Sequence, residues 1–494
     1  MSTDMNKNWS NNVIKQSEID KYKTGKHFIS DEFIESTLNK NYDTSPDHVR
    51  DILQKSKEIQ TLTHEEVATL MQVTDCLLWD EMVEAAEEVK RKVYDNRIVT
   101  FAPLYMSNLC VNNCEYCGFK TDNSDIVRKR LSMDEIREET KVLAGKIGHK
   151  RLISVVGEHP LSDVEYIVES LQTIYSVKEK TKNGIGSIRR VNINAAPMSI
   201  QDLKSLKEAG IGTYQVFQET YHQRTYEKIH PQNTIKGNYD WRLYCMHRAQ
   251  DAGVDDVGIG ALFGLYDWRY EILGLLSHSI ELENQFGIGP HTISIPRLQP
   301  AMNSDLSVHS KYLVSDDDFL KISVLVRLAV PYTGLIITAR EKESILRVLL
   351  HIMTQRDAST NIKVGGYETT FSQEEKKQQF MLGDNRSLDE VIRELSEEGC
   401  ITSFCTAGYR CGRTGKKIMN LLRCGREGQF CKLNAILTFR EWLDDFASPE
   451  TKMMGEKVIE KELQEVESTF PASEFKALIE KYSLTKQGAR DLYF

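Results

Sequence analysis

The chain has 494 residues, a formal charge of −9 and 40% hydrophobic residues. That balance supports a sizeable buried core and argues against nucleic-acid or anionic-membrane partners, which favour a basic face. Ten cysteines are too few for a disulfide scaffold of this length. Most fall in two groups, which points to metal and to a reducing, cytoplasmic setting.

Residues 1–95 read as a polar helical extension. Its opening stretch, Met1–Asn8, has no apolar core of a signal peptide, and no later apolar run approaches the ~18–20 residues of a membrane span. Thr63-x-x-Glu66 is a capping box ahead of a helix with Val67, Leu70 and Met71 on one face. From about residue 98 short β-branched runs alternate with amphipathic helices. The predicted strands are 98–105, 151–156, 190–194, 213–217, 255–260, 291–297, 334–339 and 361–365. Further capping boxes are read at Ser132-x-x-Glu135, Ser162-x-x-Glu165 and Ser387-x-x-Glu390. Eight strand–helix repeats predict an α/β fold, a (β/α)8 TIM barrel over 96–399, with a doubly wound open sheet as the alternative. Residues 400–494 are expected to form a helical C-terminal domain that begins with a cysteine- and glycine-rich stretch and ends in Asp491-Leu492-Tyr493-Phe494.

Function in such barrels sits on the loops after the strands. The loop after the first strand contains Cys110-Val111-Asn112-Asn113-Cys114-Glu115-Tyr116-Cys117. Its C-x3-C-x2-C spacing gives an iron–sulfur cube three thiolates and leaves the fourth iron without a protein ligand. Clusters that only transfer electrons are held by four cysteines. A structural zinc would want a fourth ligand, and no other Cys or His lies close by in sequence.

The three-cysteine loop resembles the radical S-adenosylmethionine (SAM) superfamily, in which the open iron of a 4Fe–4S cluster chelates SAM and an electron cleaves it to a 5'-deoxyadenosyl radical. The resemblance implies that Tyr116 flanks the adenine. It implies that Val156-Gly157-Glu158 stands for the motif that binds the SAM amino group, with Val156 in place of its first glycine. It further implies that Glu219 holds the ribose hydroxyls and Arg242 the SAM carboxylate. Arg297 and Arg340 end the sixth and seventh predicted strands. A buried arginine needs an anionic partner: either the carboxylate of an amino-acid substrate, with Arg340 the first choice, or a neighbour such as Glu341.

Three longer runs narrow the resemblance: Gly212–His222, Asp255–Tyr266 and Gly289–Arg297. They look like the radical SAM tyrosine lyases that mature iron–iron hydrogenase, the HydG type, from about residue 30 to the final Asp-Leu-Tyr-Phe. The resemblance implies cleavage of the Cα–Cβ bond of L-tyrosine to p-cresol and 2-iminoacetate (dehydroglycine). The small fragment then becomes carbon monoxide and cyanide at a second, C-terminal iron–sulfur cluster. It also implies a low-potential electron donor such as ferredoxin or flavodoxin, and other hydrogenase maturation proteins as partners.

The family's terminal motif is C-x2-C-x22-C. Here Cys405 and Cys431 hold its first and third positions, and Gly408 holds the second. Cys411 lies three residues on and would share a helical face with position 408. Three outcomes stay open: a cluster on Cys405, Cys411 and Cys431, a weaker one on two thiols, or none. His291 is the candidate imidazole for the family's additional iron, and Cys76, Cys245 and Cys400 receive no role. Two other functional readings also stay open: a tyrosine lyase that stops at 2-iminoacetate, and a non-catalytic iron–sulfur carrier or scaffold.

Overall fold

The computed structural model describes residues 9, 12–25, 27–367, 378–424 and 427–494; Met1–Asn8, read above for a leader, lies outside them. Eight parallel strands close into a barrel. They are β1 (Arg97–Ser107), β2 (Arg151–Val156), β3 (Arg190–Asn194), β4 (Tyr214–Gln215), β5 (Val257–Gly260), β6 (Thr292–Ser294), β7 (Gly334–Ile336) and β8 (Gln355–Asp357). Each pairs with the next, and β8 returns to β1 with Val99 opposite Gln355 and Phe101 opposite Asp357. Closure removes the open-sheet alternative. Strands wrapped by helices outside and packed against one another inside have no wet face, and β1 is buried along its whole length.

A ninth strand, β9 (Ile401–Ser403), joins the start of β1. Val99 thus has Gln355 on one side and Ser403 on the other. β9 takes the edge that β2 leaves uncovered, because β2 begins only opposite Ala102. The chain beyond β9 therefore starts at the N-terminal end of the barrel, opposite the loop that follows β1.

Two local expectations need correction. The eighth strand is 355–357, not 361–365. Its Gln-Arg-Asp sequence does not look like a strand, because its charged groups find partners inside the protein: Arg356 pairs with Asp384 at 2.7 Å, and Asp357 accepts the Ala339 N–H at 2.6 Å. Ser162 does not open a helix. The helix starts one residue later, at Val164, and Asp163 caps it by accepting the Tyr166 N–H. The boxes at Thr63, Ser132 and Ser387 form as read.

The N-terminal helices Asp31–Leu38, Pro46–Lys57, His64–Met71 and Cys76–Tyr94 pack on the barrel helices Trp268–Phe286 and Asp316–Ala329. The C-terminal helix Glu427–Asp445 lies against β9 and carries Cys431. It buries Leu433, Ile436, Phe439, Trp442 and Leu443, each contributing about 1.5–3 kcal/mol. The same helix inserts Glu441, fully buried, between Arg189 (2.6 Å) and Lys150 (3.3 Å). Such a triad costs desolvation but ties the helix to one register, since removing one partner strands the others. Among the described residues no helix is long and apolar enough to cross a membrane.

Candidate active site

Cys110, Cys114 and Cys117 line one cavity in the barrel mouth together with Tyr116, Gly157, Glu158, Glu219, Arg242 and Arg340. Gly157 lets the cysteine loop approach closely: a Cβ there would sit 2.3 Å from the Leu109 carbonyl oxygen. That close approach lets the Val111 N–H donate to the Glu158 carbonyl and the Gly157 N–H to the Ser107 carbonyl, both at 2.9 Å. The Asn112 amide donates to the Glu158 carboxylate (2.5 Å) and to Cys110 Sγ (3.8 Å). Gln379 Nε2 and the Phe119 N–H reach Cys117 Sγ at 3.6 and 3.4 Å.

Burial raises the Cys110 thiol and pushes Cys114 up to about 12. Thiols held this way ionise when a metal's charge replaces the proton. Among the described residues no three donors converge at the spacing of a single metal ion. Three thiols lining one cavity, with N–H donors aimed at sulfur, supply the thiolate set that an iron–sulfur cube takes.

Tyr116 bonds His230 Nε2 through its hydroxyl at 2.9 Å, and Lys236 Nζ stands 5.4 Å from its ring. After β4 the backbone reaches Glu219 at φ 72°, a left-handed conformation that costs a non-glycine residue about 1–3 kcal/mol. Glu271, in the first turn of Trp268–Phe286, pins that turn: it accepts from Thr220 Oγ1 (2.5 Å) and from the Tyr221 N–H (2.8 Å). Burial pushes Glu271 up to about 8.

The pinned turn directs Glu219 toward Lys236 (2.7 Å) and Arg242 (3.2 Å). Burial alone would raise the Glu219 carboxyl, but the two cations outweigh it and hold it below its usual range. Arg242 Nε also donates to the Phe217 carbonyl (2.6 Å). Glu158 moves the other way, raised by burial that Asn112 and Arg242 offset only in part.

The two candidate substrate arginines separate. Arg340 lines the cavity, lies 3.3 Å from the Phe380 ring centroid and has no ion-pair partner among the described residues. Arg297 does not face the cavity. Its guanidinium is taken by Glu341 (2.7 Å) and Asp316 (2.6 Å), so its expected substrate role is corrected to a structural ion pair. Lys236, Asn112, Gln379 and Glu271 were not picked out from sequence. Lys236 sits in a single 3-10 turn, Ile235–Gly237, with no motif, and Glu271 looks like any acid in a helix's first turn.

At the opposite end of the barrel a second cavity is lined by Cys405, Gly408, Cys431 and His291, with Arg97 and Arg413 at its border. Cys405 follows β9 at φ 47°. A hydrogen bond from Cys431, against burial and helped by Arg151, Arg97 and His291, holds the Cys405 thiol well below its usual range. His291 is 7% exposed, and its Nδ1 has no hydrogen-bond partner among the described residues. Cys411 does not join this group. It ends the short helix Ala407–Arg410, and its thiol donates to the Phe494 carbonyl at 3.3 Å, so the expected Cys411 ligand is corrected.

A closed parallel barrel, with three thiols spread beside paired cations and carboxylates at its mouth, defines a radical SAM enzyme. Residues 104–273 match the radical SAM superfamily, and residues 294–401 match the biotin and thiamin synthesis associated domain. A crystal structure of HydG, described as a maturase of the FeFe-hydrogenase, is 44% identical with a TM-score of 0.88, and the match covers 94% of this chain and 100% of that one. The HydG structure from Carboxydothermus hydrogenoformans is 34% identical with a TM-score of 0.75, covering 95% and 99%. The 2-iminoacetate synthase of Escherichia coli is 26% identical over 350 residues, 70% of this chain and 88% of that protein. The chain belongs to the HydG family of radical SAM enzymes, and it carries that family's SAM-binding 4Fe–4S cluster.

Proposed function

We propose that this chain is a tyrosine lyase of FeFe-hydrogenase maturation, breaking the Cα–Cβ bond of L-tyrosine to p-cresol and 2-iminoacetate. One observation carries the reading: three cluster-type thiols, a carboxylate–cation group and an arginine with no ion-pair partner among the described residues share a single cavity. HydG and 2-iminoacetate synthase relatives support it. In this reading Cys110, Cys114 and Cys117 hold the cube, and Glu158, Glu219 and Arg242 hold SAM beside Tyr116. Bound there, cluster and SAM together supply a deoxyadenosyl radical able to abstract hydrogen.

The protein's own task is position. Arg340 pairs with the tyrosine carboxylate, which orients the amino group toward the bound nucleoside. Phe380 and Leu298 keep the cavity wall apolar, and Glu219 stays ionised because Lys236 remains beside it when Arg242 turns to SAM. The electron donor is a low-potential protein of ferredoxin or flavodoxin type, and the setting is the cytoplasm.

Anaerobic incubation with SAM, dithionite and tyrosine tests the proposal. It predicts 5'-deoxyadenosine and p-cresol together. A non-catalytic carrier yields neither, and products from tryptophan but not tyrosine would contradict the substrate.

A further inference from the structure

Residues 379–383 are seated on the cysteine loop. The Gly118 N–H donates to the Gln379 carbonyl at 3.2 Å, and the approach is so close that a Cβ at Gly118 would sit 2.7 Å from that oxygen. Two other loops of the mouth hold the same segment: the Met381 N–H donates to the Pro300 carbonyl (3.0 Å) and the Gly383 N–H to the Ala339 carbonyl (2.9 Å). Its backbone is therefore fixed without help from the Gln379 side chain. That side chain lies between Tyr105, on β1, and Cys117. The Tyr105 hydroxyl donates to Oε1 at 2.8 Å, and Nε2 stands 3.6 Å from Cys117 Sγ. A carboxamide has one acceptor oxygen and one donor nitrogen. With the oxygen taken by Tyr105, the N–H is turned toward sulfur, whereas the flipped amide would set oxygen lone pairs against a thiolate. The Phe119 N–H reaches the same sulfur at 3.4 Å, but it belongs to the cysteine loop; Gln379 is brought there from 262 residues away.

We propose that Gln379, oriented by Tyr105, is a positioning residue that sets how readily the cube on Cys110, Cys114 and Cys117 accepts an electron. A hydrogen bond to a ligand sulfur stabilises the reduced, more negative cluster more than the oxidised one, so it raises the reduction potential. The inference rests on the reading that those three thiols hold the cube. It is independent of which amino acid is the substrate.

The test is an anaerobic potentiometric titration of the reconstituted full chain, followed by electron paramagnetic resonance, with iron counted on the same samples. The signal followed is the one that disappears in the Cys110→Ala, Cys114→Ala, Cys117→Ala variant. Gln379→Leu is expected to retain its iron, because the Gly118 contact is to backbone. It is expected to be at least threefold harder to reduce, a downward shift of roughly 30 mV for one electron. Tyr105→Phe keeps the N–H donor but frees the amide, and is expected to shift the potential the same way by less. The double variant is expected to match Gln379→Leu alone, since Tyr105 acts through the amide it orients. An unchanged potential in Gln379→Leu with iron retained would overturn the proposal, as would shifts that add in the double variant. Should Gln379→Leu lose iron, Tyr105→Phe decides, and an unchanged potential there overturns it. A signal that survives the loss of all three cysteines would instead overturn the reading beneath it.

Discussion

The arginines show how far residue type carries and where it stops. Arg297 and Arg340 are equivalent in sequence, each closing a strand, yet one is neutralised by Glu341 and Asp316 while the other meets the cavity stacked on the Phe380 ring. Arg340→Met is expected to lower kcat/KM for tyrosine by roughly 30-fold or more, since losing one partner of a buried charge pair costs about 2–5 kcal/mol. Steady-state kinetics of p-cresol formation checks this, with SAM affinity unchanged. Gly157→Ala forces a methyl group to within 2.3 Å of the Leu109 carbonyl. It is expected to loosen the cysteine loop and reduce iron retained after desalting, although no ligand is touched. The three cysteines were legible because they are contiguous and their spacing carries the chemistry. Lys236 and Asn112 were not, because their roles arise only when separate loops meet in the barrel mouth.

At the scale of elements, alternation of apolar runs found seven of the barrel strands and misplaced the eighth. Gln355-Arg356-Asp357 is polar and buried, and it was passed over for the more apolar stretch that follows. Capping chemistry was read one residue early at Ser162. Asp163→Ala is expected to cost about 0.5–2 kcal/mol in urea denaturation, with Ser162→Ala close to neutral.

The turn at Glu219 depends on a helix distant in sequence, through Glu271. Glu271→Ala leaves the Thr220 hydroxyl and Tyr221 N–H without their acceptor, a cost of about 1–3 kcal/mol, and is expected to raise the KM for SAM. Glu271→Gln keeps the shape and restores binding. The folded-state value near 8 lies above the ordinary 4.5. Between these values the folded state keeps a proton that the unfolded state has lost, so this group's contribution to stability falls as pH rises from about 4.5 to about 8, then levels. The stability of Glu271→Gln relative to wild type is therefore expected to rise over that window, as urea midpoints measured across pH would show.

The whole molecule is a barrel with a thiol-lined cavity at each end: Cys110, Cys114 and Cys117 at the C-terminal mouth, Cys405 and Cys431 at the N-terminal end. β9 and the Glu441 triad hold the second domain against the first. The barrel and its mouth could be read from periodicity and motif, but the position of the second site could not, because it depends on a ninth strand three residues long pairing at the uncovered start of β1. The account rests on SAM binding at the open corner of a cube held by Cys110, Cys114 and Cys117. Electron paramagnetic resonance of the dithionite-reduced chain before and after SAM addition tests this most directly. The cluster signal is predicted to shift with SAM and to vanish in the Cys110→Ala, Cys114→Ala, Cys117→Ala variant; a signal indifferent to SAM, or one that survives in that variant, would contradict it.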